Sequence, residues 1–150
     1  MSTRSAIAVQ HGTRVKAVYV HYDGYPEFNG RILNTYYQDS VKVNRLISMG
    51  DISALGAEIG ETIEFRTPLG ETPEGLNSQC IFYNRDRGEE TTWLSLEDSA
   101  HFVKEYSGWG CEYFYLYKNN QWYVRSLGGR WRLLNRVLSE LNQKQPVFNK

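Results

Sequence analysis

Two stretches of this 150-residue chain concentrate side chains that could do chemistry. The first is His21-Tyr22-Asp23-Gly24-Tyr25-Pro26-Glu27. Histidine titrates nearest neutrality, so His21 is a candidate acid, base or ligand. Asp23 could orient it or hold a cation, and the N–H groups of a helix starting at Pro26 could hold an anion. The plainer reading is a turn that Asp23 caps and Gly24 permits, with Pro26 opening the helix and His21 half-buried in a sheet.

The second stretch is Tyr83-Asn84-Arg85-Asp86-Arg87-Gly88-Glu89-Glu90. Arg85 and Arg87 could grip a phosphate or carboxylate through paired N–H donors. Asp86, Glu89 and Glu90 are the ligand type that Mg²⁺ prefers. A solvated turn with offsetting charges accounts for the same residues. Should the fold bring both stretches together, His21, Asp23, Asp86 and Glu89 would resemble a hydrolytic metal centre, with Arg85 stabilising developing charge. No HExxH, GxSxG, Walker or DxDxDG pattern points to a specific chemistry. No cofactor or resident metal is therefore expected.

A third feature is aromatic. Tyr113, Tyr115 and Tyr117 share one strand face, with Trp122 and Tyr123 following. Alternate tyrosines could stack a base or form a protein-binding patch. They could equally cover helices, provided their hydroxyls find partners.

The elements that must position these residues follow from periodicity. Ser5–Gln10 and Arg14–Tyr22 read as a hairpin across His11-Gly12-Thr13, and apolar residues on both faces of the second strand make it central. Phe28, Ile32, Leu33 and Tyr36 recur at helical spacing. Asp39-Ser40 caps a second helix that ends at Gly50. Asp51 to Gln79 is turn-rich, with a strand expected over Thr62–Arg66 and a mobile loop over Thr67–Ser78. Cys80–Asn84 and Thr91–Leu94 read as strands around a charged turn, and Ser95 as the cap of a third helix. Cys111–Tyr117 and Gln121–Ser126 form a hairpin about Asn119-Asn120. Trp131, Leu134, Leu138 and Leu141 mark a final helix. The expected fold is α+β: a mainly antiparallel sheet of about five to seven strands with three or four helices packed on it. One domain over 1–142 is expected, with a frayed tail over 143–150.

Composition narrows the function classes. Seventeen Lys and Arg balance 17 Asp and Glu, which argues against nonspecific nucleic-acid binding. No apolar run approaches a membrane span and no secretory signal is visible, so a cytoplasmic protein is expected. Cys80 and Cys111 form no CxxC pair and read as reduced, buried thiols.

The motifs HYDGYPEFNG, LISMGDISALG and YNRDRGEE, in that order and followed by EYFYLYKNNQWYV, resemble a family of small uncharacterised proteins of tailed bacteriophages and prophages. The resemblance runs from residue 1 to about 125, and departs from the family at Thr67–Ser78 and from Leu127 onward. It implies a phage or prophage source and genomic context, not a mechanism. The expectation set beside it is a non-enzymatic accessory protein that binds a host protein or a nucleotide-like ligand, with counteraction of host antiviral defence as one role. Such a protein would act in the host cytoplasm and need not be an enzyme. The expected contacts are His21, Asp23, Tyr25, Arg85, Asp86, Arg87 and the Tyr113/Tyr115/Tyr117 face, which could also form a homo-oligomer interface. The alternative is a small metal-dependent phosphoester hydrolase.

Overall fold

The computed structural model describes residues 2–64 and 68–144. Its centre is the hairpin of β1 (Ser5–His11) and β2 (Arg14–Val20). Gly12 closes the turn at φ 64°. After a short π-helical segment, Pro26–Gly30, come α1 (Arg31–Tyr36) and α2 (Ser40–Ser48). Asp39 caps α2 by accepting from the Val41 N–H. Next are β3 (Ile52–Ala54), β4 (Ile81–Phe82) and α3 (Tyr83–Arg87). β5 (Leu94–Leu96), α4 (Ser99–Ser107), β6 (Tyr113–Lys118), β7 (Gln121–Ser126), β8 (Arg132–Leu133) and α5 (Leu134–Lys144) complete the order.

The chain is α+β, with eight strands in one mixed sheet. The order is β4-β3-β2-β1-β6-β7-β8, with β5 also on β2. Two pairings are parallel, β1 with β6 and β2 with β3. The sheet is thus larger and less antiparallel than the hairpins alone predict. Among the described residues there are also five α-helices rather than three or four.

Helices cover both faces, and the strand alternation assigns residues to them. Ile7, Val9, Val18, Val20, Tyr115 and Tyr117 meet the buried sides of α1, α2 and α5. Ala6, Ala8, Val15, Ala17, Phe114 and Leu116 meet Phe102 and Tyr106 of α4. Small residues at the centre of that second face let α4 approach until the Tyr106 hydroxyl donates to the Ala17 carbonyl at 3.1 Å. Both β1 and β2 are therefore buried on two sides.

Several local expectations shift. The charged stretch after β4 is a helix, stopped by Gly88 at φ 68°. Asp98, not Ser95, caps α4 through the His101 N–H at 2.9 Å. Thr62, Ile63 and Glu64 form no strand, and the rest of that expected strand lies outside the described residues. Residues 68–78 are held by backbone bonds, such as Thr72 N–H to Leu76 O at 2.7 Å. Leu76 is buried there. The helix α5 includes Gln143 and Lys144, and the remainder of the expected tail lies outside the described residues.

Candidate functional site

The exit of β2 places the first chemical stretch. Strand alternation puts Tyr19 and His21 on the α4 side, where the Tyr19 hydroxyl and His21 Nδ1 share a 2.8 Å hydrogen bond. The next residues turn sharply. Asp23 adopts φ 59°, a left-handed conformation that Asp tolerates better than most residues. Gly24 follows, buried, with its N–H on the Thr3 carbonyl at 2.8 Å. A Cβ at Gly24 would lie 2.7 Å from Ser5 Cβ and 2.8 Å from that carbonyl, so only glycine fits. The turn is clamped again by the Tyr115 hydroxyl, which donates to the Gly24 carbonyl at 2.6 Å.

This clamp presents aromatic rings outward. Tyr22 is 47% exposed and Tyr25 36%. The Tyr22 ring meets His21 edge-on at 4.6 Å, and the Tyr25 hydroxyl reaches Asp23 Oδ1 at 3.4 Å. Beneath the turn, Ser5 Oγ and Asn29 Oδ1 are buried without a hydrogen-bond partner. Asn29 spends its amide on the Tyr22 carbonyl at 3.0 Å. Unpaired buried polar atoms cost about 1–3 kcal/mol each, so stability is locally sacrificed here.

Burial and then the nearby Arg4 charge lower the His21 pKa, which leaves the imidazole uncharged at neutral pH. Burial pushes the Tyr19 phenol up to about 12, against a partial offset from Arg4. Arg4 itself is held by the Trp109 carbonyl at 3.0 Å. Asp51, buried beside this strand, accepts from the Tyr19 backbone N–H at 2.9 Å. Burial raises its pKa, and that hydrogen bond offsets part of the rise. Arg4, Tyr19 and Asp51 did not stand out as chemical residues in the sequence. The only available signal was Tyr19 two residues before His21, which reads equally as strand burial.

The second stretch is structural. Arg85 donates to both carboxylate oxygens of Asp86, at 2.9 and 3.0 Å. Its remaining N–H groups go to the carbonyls of Ile59, Gly60 and Cys80 at 2.9–3.2 Å. All five guanidinium donors are therefore consumed. Asp86 also accepts from the Phe82 and Ile63 N–H groups at 2.8 and 2.9 Å. Burial alone would raise its pKa. Arg85 and the two N–H groups outweigh that and hold it below the usual carboxylate range. Arg85 and Asp86 thus form a strut between β4 and residues 59–63. Arg87 and Glu89 lie exposed.

The expected tyrosine face is likewise corrected. Tyr115 is fully buried, against Gly24 and Gly30, and Tyr117 nearly so, against Gln38 and Trp122. The Tyr117 hydroxyl donates to Gln38 O at 2.9 Å, and Trp122 Nε1 to Tyr37 O at 2.8 Å. Backbone carbonyls satisfy these polar tips, so neither ring is open to a partner or a second copy. Tyr113 alone is part-exposed.

The metal-hydrolase arrangement does not assemble. β3 brings the two stretches to neighbouring strands: it accepts the His21 and Tyr22 N–H groups and pairs with β4 on its other side. Their side chains diverge, His21 to Tyr19 and Asp86 to Arg85. Among the described residues no three His, Cys, Asp or Glu side chains are grouped to hold a metal ion. Both thiols are buried and unoxidised, and burial pushes Cys80 up to about 11 and Cys111 up to about 12. Neither is a nucleophile at neutral pH. No described helix is long and apolar enough to cross a membrane. Searches against family models, curated proteins and solved structures return no match, so the surface turn at residues 21–25 is read from its own geometry.

Proposed function

We propose that this chain acts by binding, as an accessory protein of the phage or prophage type whose residues 21–25 contact a host protein. One observation carries the reading. A clamped turn with two unpaired buried polar atoms beneath it holds Tyr22 and Tyr25 outward. Tyrosine is among the residues that dominate binding energy at interfaces, and preorganised rings bind with little ordering loss. The neutral His21, with Nε2 unbonded among the described residues, adds one directional contact. Nothing at this turn favours turnover over binding, and no geometric observation favours the phosphoester hydrolase.

The test is affinity capture from a bacterial host lysate, followed by measurement of Kd for the purified partner. The Tyr22→Ser/Tyr25→Ser variant should weaken binding by about 30-fold or more while leaving Tm unchanged. Unchanged affinity overturns the reading. The narrower proposal, that binding counteracts host antiviral defence, rests on the motif resemblance alone. It predicts that expressing the chain restores phage growth in a defended host, and that the double variant does not.

A further inference from the structure

Away from the 21–25 turn, α1, α5 and the turn at 72–76 line an open surface cleft of about 370 Å³. Two packed helices ordinarily face each other with apolar side chains. Here the apolar lining comes only from Leu76 and Leu138, both buried. The rest is polar. Asn34 and Thr35 enter from α1, and Asn135 and Ser139 from α5. Their side chains make no hydrogen bond or ion pair among the described residues, which leaves amide and hydroxyl groups addressed to the cleft.

The charged lining residues are positioned. Arg31 Nη2 donates to Asn142 Oδ1 at 2.6 Å, which fixes both side chains across the helix pair. Glu74 accepts from the Tyr36 hydroxyl at 2.5 Å. That hydrogen bond, with others, holds its carboxyl below the usual range. The lining therefore carries one cation, one anion, three amides and two hydroxyls. Its net charge is zero, which disfavours a phosphate. Donors and acceptors occur together, matching a ligand whose groups are each both donor and acceptor. Planar amide and carboxylate groups can each bond two adjacent hydroxyls. The two leucines suit the C–H face of a ring.

We infer that this cleft is a binding site for a neutral polyhydroxylated ligand of monosaccharide size. Its volume lies at the low end of ligand pockets, which run from about 300 Å³ upward. The inference is independent of the protein-contact reading, because none of the 21–25 residues lines the cleft.

The experiment is ¹⁵N chemical-shift titration of the full chain with glucose, N-acetylglucosamine and ribose, and with ribose 5-phosphate as the anionic control. At least one neutral sugar should give saturable shifts at Asn34, Asn135 and Ser139, with Kd of about 1–10 mM, as a few exposed hydrogen bonds supply. Asn135→Ala and Asn34→Ala should each weaken it about tenfold. Both side chains lie at the surface, so Tm should hold. Tyr22→Ser/Tyr25→Ser should leave the titration unchanged, which separates failure here from failure of the protein-contact reading. Absence of saturable shifts with all three sugars overturns the inference. So does equal binding by both asparagine variants, or binding by ribose 5-phosphate alone.

Discussion

Replacing Arg85 by methionine separates a structural strut from a ligand contact. The substitution removes five N–H donors but keeps an apolar stem of similar length. Asp86, with its side chain 1% exposed, then retains only the Phe82 and Ile63 N–H groups. The carbonyls of Ile59, Gly60 and Cys80 each lose a donor. Breaking a buried ion pair from one side costs about 3–5 kcal/mol, because the remaining charge is uncompensated. For a chain of this size each kcal/mol lowers Tm by about 2–4 °C, so Arg85→Met should fall about 6–20 °C. The loss should depend on pH. In the parent, the Asp86 carboxyl is held low, so its contribution is present above the unfolded value of about 3.9 and is lost as pH falls through the folded value. Without Arg85 two of the effects that lower the folded value are lost, while burial still raises it and the Phe82 and Ile63 N–H groups still oppose that rise, so the folded value moves up. The carboxyl then contributes less at neutral pH, and protonation reduces that difference. Urea denaturation at pH 7 and pH 3.5 should therefore show a gap between parent and variant that narrows in acid. The double variant with Asp86→Asn should lose less than the two single losses combined. A loss under about 1 kcal/mol at pH 7, or a gap unchanged in acid, would refute the strut.

Three further outcomes follow from the same geometry. Tyr115→Phe leaves the buried Gly24 carbonyl without its donor and should cost about 1–3 kcal/mol in urea denaturation; a neutral result would mean the clamp on the turn is idle. Gly24→Ala should cost about 1–3 kcal/mol, since the added Cβ meets backbone at 2.8 Å; a Tm equal to the parent's would contradict the close packing. Asp51→Asn should be neutral or stabilising at pH 7. The raised folded pKa makes Asp51 a burden as pH rises through that value, while asparagine keeps an oxygen for the Tyr19 N–H. A denaturation series from pH 4 to 8 should be flatter for the variant, and a steeper profile would reject the assignment.

Local signals in the chain were read well where they concerned one element. The β1–β2 turn at Gly12, the cap at Asp39 and the paired positive φ angles of Asn119 and Asn120 all stand where turn and cap chemistry puts them. The parallel pairings were not legible, because nothing in a strand's own residues names its neighbour, whether Ile52 beside Val20 or Tyr113 beside Ser5. The short strand β3 hid in a turn-rich stretch, since three residues carry too little periodicity. Tyr115 and Tyr117 stayed undecided between core and contact because their hydroxyls needed partners. Those partners are the carbonyls of Gly24 and Gln38, which only the assembled fold supplies. The structural partners of Arg85 and Asp86 were hidden for a similar reason: carbonyls from residues 59, 60 and 80 converge on the guanidinium only in three dimensions.

The parallel register of β1 with β6 pairs Ile7 with Tyr115, and so joins the sheet's centre across most of the chain. During synthesis the β1–β2 hairpin is complete long before β6 leaves the ribosome. Until then one edge of β1 is an unpaired strand with apolar side chains on both faces. That long-range pairing raises the contact order, which slows folding. The nascent hairpin is therefore the segment most exposed to misassociation, and the one a chaperone would shield.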